Sequence, residues 1–240
     1  VGSREEALPS QRVTKAIHKA QEMGIYVCLA TGRPYEVTKK VARKLKLKSY
    51  LSLLHGSQIV EAQTGKIVWE RYLTASQTDE ILVKAEKYHI KCLINDDGKD
   101  FEIPKQKYKP YKPYGICTLG QPIEIVKKLE KELSTIEMID VSSFVSTWSK
   151  LDPGTCLTIT HAEATKQHGI LEMARLLKVS THEIIGVGDN YNDFPMMMTC
   201  GLRVAMGNAV PELKEIADYI APTVDDDGVA DVIEKYILNP

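Results

Sequence analysis

Two short stretches of the chain hold residue types suited to phosphate and metal chemistry. Thr31-Gly32-Arg33 sets a hydroxyl, a residue without a side chain and a cation side by side. At a helix start, such a loop offers free backbone N–H groups to an anion such as phosphate. Gly188-Asp189-Asn190-Tyr191-Asn192-Asp193 carries two carboxylates on one tight loop. Hard oxygens of this kind suit Mg²⁺, which takes one or two carboxylates, waters and substrate phosphate oxygens. Lys166 opens a helical pattern that lies between the two stretches in sequence. An ammonium group there would offset charge developing on a transferring phosphoryl group. Taken singly, each has an ordinary reading: Thr31 to Pro34 as a turn, Asp189 and Asp193 as a helix cap, Lys166 as a surface lysine.

The elements that must position these residues alternate between helix and strand. Ser10 caps a helical stripe of Val13, Ala16, Ile17 and Ala20, and Gly24 ends it. Ile25 to Ala30 is a continuous apolar run, the pattern of a strand buried on both faces of a parallel sheet. Val37, Val41 and Leu45 mark the next helix, and Leu51 to Leu54 a short strand. Near the other end, a helix from about Ala164 to Leu177 leads to a strand at Ile184 to Val187. The loop with Asp189 follows, then a Met-rich helix, a strand at Leu202 to Ala205, and helices at 211–217 and 229–237. This grammar predicts an α/β fold with one doubly wound, Rossmann-like parallel sheet holding both strands, at whose carboxyl ends ligands bind. Residues 73–154 read differently, with helices around Ile81 to Ala85 and after Pro122, and β-like runs without strict alternation. They are expected to form a separate α+β module inserted between core segments 1–72 and 155–240.

The 240 residues are 43% hydrophobic, enough for a full core. Net charge is −1, which argues against a polyanionic partner. A basic run interleaved with aromatics, Lys105, Lys107, Tyr108, Lys109, Tyr111, Lys112 and Tyr114, has the composition of a single-strand-binding surface. With the charge balanced, it is expected to be a solvated loop of the middle module, and no nucleic-acid partner is expected. No apolar run reaches the roughly 20 residues of a membrane span. The cysteines, Cys28, Cys92, Cys117, Cys156 and Cys200, are scattered and never spaced as C-x-x-C, which favours reduced thiols in a cytoplasmic location.

These motifs together resemble the Cof-type branch of the haloacid dehalogenase-like (HAD-like) phosphatases, the subfamily IIB members with a C2 cap. The matching text is Leu29-Ala30-Thr31-Gly32-Arg33-Pro34, Lys166 ahead of a helix, Gly188 to Asp193, Val204-Ala205-Met206-Gly207-Asn208-Ala209, Ala217-Asp218 and Asp227-Gly228-Val229-Ala230. The resemblance implies a Mg²⁺-dependent phosphatase that hydrolyses a small-molecule phosphate ester through an aspartyl-phosphate. Thr31, Gly32, Arg33 and Asn192 would bind the phosphoryl group, and Lys166 would stabilise its charge. Asp189 would hold the metal directly, and Asp193 would complete its shell through water or through Lys166. The middle module would be the cap. The family's D-x-D-G-T-L nucleophile motif does not occur here. Val1-Gly2-Ser3 reads like the segment that follows it, so the first strand and its nucleophile are expected to be missing and the 240-residue chain inactive. A non-catalytic phosphate binder of the same fold is the alternative. The family's usual Asn-Gly-Ala at the core–cap junction is replaced by His55-Gly56-Ser57, where His55 is either a rim residue or a substrate contact.

Overall fold

The computed structural model describes residues 8–96, 99–103, 112–146 and 154–239, with the backbone alone for 100–103 and 144–146. Helix α1 (Gln11–Glu22) starts where Ser10, in extended conformation, accepts a hydrogen bond from the Val13 N–H at 3.1 Å. Its stripe of Ala16, Ile17 and Ala20 is buried, and Gly24 at φ +85° leads the chain out. Strand β1 (Leu29–Ala30), helix α2 (Tyr35–Lys44) and strand β2 (Tyr50–Leu53) form a parallel unit, with Leu29 opposite Leu51. An antiparallel hairpin of β3 (Gln58–Glu61) and β4 (Ile67–Glu70) extends this sheet to the order β1-β2-β3-β4.

The middle module begins with α3 (Ala75–Lys87), opened by a capping box between Thr74 and Gln77. Strands β5 (Cys92–Asp96), β6 (Lys99–Ile103) and β7 (Pro113–Thr118), helix α4 (Ile123–Leu133), and strands β8 (Ile139–Ser146) and β9 (Gly154–His161) follow. They make an antiparallel sheet in the order β6-β5-β7-β9-β8. Ile81 and Ala85 of α3 and Val126, Leu129 and Leu133 of α4 pack on Ile94, Ile116, Leu157 and Ile159, covering one face. Each large side chain so buried contributes about 2 kcal/mol. The module therefore runs to His161, not to 154 as the sequence suggested. Within Thr155 to His161, Leu157 and Ile159 face the two helices, which binds this segment to the cap sheet rather than to the core.

The chain then returns to the core through α5 (Lys166–Leu177), β10 (Ile185–Gly188), α6 (Phe194–Met197), β11 (Leu202–Ala205), α7 (Pro211–Glu215), β12 (Tyr219–Ile220) and α8 (Gly228–Ile233). The three strands form a parallel sheet of their own, β10-β11-β12. The expectation of a single sheet joining residues 25–30 to 184–187 is thus corrected, because β1 and β10 lie in different sheets. The strand at 25–30 shrinks to Leu29–Ala30, and Ile25 and Tyr26 are 41% and 58% exposed. β1 and β10 are each terminal in their sheets, with no strand on the second edge among the described residues. The half-sheets still share one core. Cys28 and Ala30 from the first, and Ile185 and Val187 from the second, pack into a cluster around Ile170, Met173, Met197 and Val204. Helix α5 packs against β1, β2 and β3 on one side and α6 on the other.

Tyr114 ties the middle module to the core. It lies on cap strand β7 and is fully buried among core residues including Leu53, Leu54 and Val60. Its hydroxyl donates to Glu70 Oε2 at 2.5 Å and accepts from Gln58 Nε2 at 3.2 Å, and its carbonyl accepts from Ser57 Oγ at 2.8 Å. Lys112 completes the joint with an ion pair to Glu70 at 2.7 Å. These are two of the seven residues in the basic-aromatic run, and they serve the joint rather than an open cationic face. Lys105, Lys107, Tyr108, Lys109 and Tyr111 lie outside the described residues.

Candidate active site

Both loops singled out by their chemistry sit at carboxyl ends of parallel strands, where an open α/β sheet places its ligands. The first follows β1. Thr31 N–H donates to Ser52 O at 2.9 Å, continuing the ladder one residue past the strand. The Arg33 N–H donates to Thr31 Oγ1 at 3.2 Å. With one lone pair so engaged, the Thr31 hydroxyl proton is left to donate outward, toward an anion. Arg33 O accepts from Leu54 N–H at 3.3 Å. Among the described residues, the Arg33 guanidinium has no ion pair.

The second loop follows β10. Asn190 caps the 3-10 turn Tyr191–Asp193. Asp193 is 4% exposed, and its carboxylate organises the loop. Oδ2 accepts from the Asp189 N–H at 2.9 Å and the Asn190 N–H at 3.1 Å, and Oδ1 pairs with Lys166 Nζ at 2.6 Å. Lys166 Nζ also approaches Asn192 Oδ1 at 3.5 Å. Lys166 is the first residue of α5, whose N-cap Thr165 accepts from the His168 N–H. The lysine is nearly buried, its side chain 10% exposed, so its charge is matched by Asp193 and not by water.

The structure therefore brings Lys166, Asp189, Asn192 and Asp193 into direct contact. Thr31 and Gly32 join them through an intermediary, His55. Its N–H donates to Thr31 O at 3.2 Å, and its ring lies against Gly32, where an added Cβ would come within 2.4 Å of Nε2. The next residue, Gly56, packs on the start of α5, where an added Cβ would come within 3.0 Å of Lys166 N. Burial and the Lys166 ammonium lower the His55 imidazole to about 4, so the ring is neutral at ordinary pH.

Asp189 lies at the mouth of this arrangement, open to solvent as a residue but with its carboxyl partly shielded by the loop. Burial, and then the neighbouring Asp193 charge, push its carboxyl above the usual range. Asn208 Nδ2 donates to Asp189 Oδ2 at 3.4 Å, while Asn208 Oδ1 accepts from the Val224 N–H at 3.0 Å. Sequence reasoning quoted Asn208 but gave it no role; its place just past β11, at another strand end, was the available signal. Two carboxylates on one loop suit Mg²⁺, which completes its shell largely with waters, although among the described residues no group of three or more His, Cys, Asp or Glu side chains is gathered for a metal. Asp189 would hold it directly. Both Asp193 oxygens already accept strong hydrogen bonds, so Asp193 would reach the metal through water or steady it through Lys166.

The model of the haloacid dehalogenase-like hydrolase family matches residues 3–114 and 95–233, and the chain belongs to that family. It resembles the 5-amino-6-(5-phospho-D-ribitylamino)uracil phosphatase YcsE of Bacillus subtilis, at 28% identity over 98% of this chain and 91% of the relative. It matches the stress response protein YhaX of the same organism at 28% identity, over 94% of this chain and 86% of that one. Among solved structures, a HAD subclass IIB sugar phosphatase superposes with a TM-score of 0.79 at 18% identity, over 98% of this chain and 94% of that one. These matches identify a Cof-type HAD phosphatase fold, and relatives bearing phosphatase names support that class of activity.

Proposed function

We propose that the protein is a Mg²⁺-dependent phosphatase acting on a small phosphorylated metabolite through an aspartyl-phosphate. The observation that supports this reading is a chain of packing and pairing: the His55-Gly56 turn lies against the Thr31-Gly32 loop on one side and the Thr165-Lys166 helix start on the other, and Lys166 pairs with Asp193, whose carboxylate holds the Asp189 loop. In it, the Thr31 hydroxyl and the Gly32 backbone bind the phosphoryl oxygens, with Arg33 and Asn192 at the edge. Lys166, kept charged and in place by Asp193, offsets the negative charge that builds as phosphorus changes partners. Bound Mg²⁺ supplies further charge neutralisation beside Asp189.

Among the described residues, no carboxylate other than Asp189 and Asp193 belongs to this contact chain, and both have other tasks. The nucleophile in this reading is an aspartate at the end of a strand lying between the unpaired edges of β1 and β10. The same strand would cover the exposed Ile25 and Tyr26. No helix among the described residues is long and apolar enough to cross a membrane. The five cysteines are scattered along the sequence without a C-x-x-C pair, and in this reading they are reduced thiols of a cytoplasmic protein.

The test is release of phosphate from an aryl phosphate with Mg²⁺, by the 240-residue chain and by the same chain preceded by a D-x-D-G-T segment. The extended protein is expected to turn over and the shorter one not. Equal activity in both would mean that the nucleophile has been misassigned. Phosphate binding without turnover in either would favour the second reading, a non-catalytic phosphate binder, which the lack of a free carboxylate in this chain of contacts keeps open.

A further inference from the structure

The turn between β2 and β3 is strained in a way that ordinary loop closure does not require. Leu54, His55 and Gly56 all adopt left-handed backbone, at φ +51°, +61° and +108°. For the two residues that carry a Cβ this costs roughly 1 kcal/mol or more each. Such strain persists only where the surroundings hold it, and here they do so from two sides. The Leu54 and His55 N–H groups donate to Arg33 O and Thr31 O. Gly56 is pressed against the next segment: a Cβ there would fall 2.0 Å from Thr165 O and 3.0 Å from Lys166 N. The turn is therefore wedged between the Thr31 loop and the start of α5.

The His55 ring occupies the centre of that wedge. Its Nε2, Cε1 and Cδ2 atoms all lie within 3.1 Å of where a Gly32 Cβ would be, so this end of the ring rests directly on Gly32. At the other end, Nδ1 is buried without a hydrogen-bond partner among the described residues. A buried ring nitrogen left unpaired costs about 1–3 kcal/mol. Strain in the turn and an unpaired nitrogen are two independent penalties accepted at one residue. Neither helps the fold; the turn's packing on both sides holds the ring in place despite them. Being neutral, the ring adds no charge to compete with Lys166.

We infer that His55 is a positioning residue, a rigid spacer that fixes the Thr31-Gly32 loop at the distance from Lys166 at which both grip one phosphoryl group. This rests on the phosphate-site reading given above. It also accounts for Gly32, since any side chain there would expel the ring.

The experiment uses the full chain with inorganic phosphate and Mg²⁺, read by calorimetry, together with hydrogen exchange of the Thr31 and Arg33 amides. In His55→Ala, phosphate affinity is expected to fall about tenfold, and the two amides to exchange at least about tenfold faster, with Tm changed by only a few degrees. Gly32→Ala alone is expected to cost a similar factor, but to cost little when added to His55→Ala, because the ring it would expel is already gone. Additive losses, or unchanged exchange at both amides, would overturn the inference. If the unaltered chain fails to bind phosphate while His55→Ala still frees the two amides, the positioning role stands and the phosphate-site reading falls.

Discussion

The two loops of the site are built in opposite ways. The Thr31 loop is held by backbone: the Thr31 N–H to Ser52 O, the Arg33 N–H back to the Thr31 hydroxyl, and the Leu54 and His55 N–H groups to its carbonyls. No ionised group takes part. The Asp189 loop is held by one side chain, the Asp193 carboxylate, which gathers two backbone N–H groups and a lysine. The first is rigid because peptide groups and a glycine contact leave it no room. The second is rigid because charge in a nearly dry setting tolerates no vacancy. The first should therefore be sensitive to added volume and the second to removed charge.

That contrast can be broken or sharpened by substitution. The largest effect is expected from Asp193→Ala, which strands the Lys166 ammonium with little water and leaves two N–H groups unpaired. A loss of about 3–5 kcal/mol in denaturant unfolding is expected; a loss under about 1 kcal/mol would show that the loop is not organised by this carboxylate. Next comes Gly56→Ala, on the volume-sensitive side. Its methyl group would meet the Thr165 carbonyl at 2.0 Å with the backbone at φ +108°, and a loss of about 2 kcal/mol is expected in the same assay. A neutral outcome would mean that the wedge yields. Thr31→Val should hardly change Tm, yet weaken phosphate binding about tenfold, the worth of one hydrogen bond to a charged group. Titration calorimetry would reveal the opposite case, an intact affinity, and so remove Thr31 from the site.

The smallest effect has an inverted sign. Asp189 has its carboxyl pKa raised by burial and by Asp193. The folded protein thus binds this proton more tightly than the unfolded chain does. Below the ordinary carboxyl pKa the group favours folding; as pH rises through its folded value that benefit is lost, and at neutral pH its charge is a burden. Asp189→Asn should therefore raise Tm slightly at pH 7 without metal, while abolishing any increase in Tm caused by Mg²⁺. A lower Tm without metal would contradict the assignment of Asp189 as a strained, metal-seeking carboxylate.

Much of this was legible in the sequence, for physical reasons that also mark where reading stopped. The strand at Leu202 to Ala205 was found residue for residue, and that at Ile184 to Val187 to within one, because short apolar runs between turn residues have few alternatives. The same rule overextended β1. Ile25 to Ala30 is apolar enough for a buried strand, but a strand lasts only as far as it has a partner to pair with, and here pairing with β2 covers Leu29 and Ala30 alone. Thr155 to His161 was given to the core. Its apolar and small residues do not say which sheet it joins, and in the structure both faces from Cys156 to Thr160 are buried in the middle module's sheet. At the site, types and spacing indicated Lys166, Asp189 and Asp193, and the ion pair between the first and last joins them as a unit. Spacing could not show that Asp193 spends both oxygens on the protein. Nor could it show that His55 links the two loops, since that depends on three left-handed residues in a row, only one of them glycine.

The burial of Tyr114 inside the core bears on how this architecture could be altered. A cap joined only by two linkers could be exchanged like a cartridge, and chimeras carrying another cap would be soluble by default. Here the graft would have to include a tyrosine at the matching position of β7. Otherwise it would leave a hole lined by Leu53, Leu54 and Val60, with Glu70 and Gln58 deprived of a partner. A void of that size costs about 3 kcal/mol or more. The two domains are thus heritable only as a pair, and any drift in cap preference must occur around a fixed tyrosine.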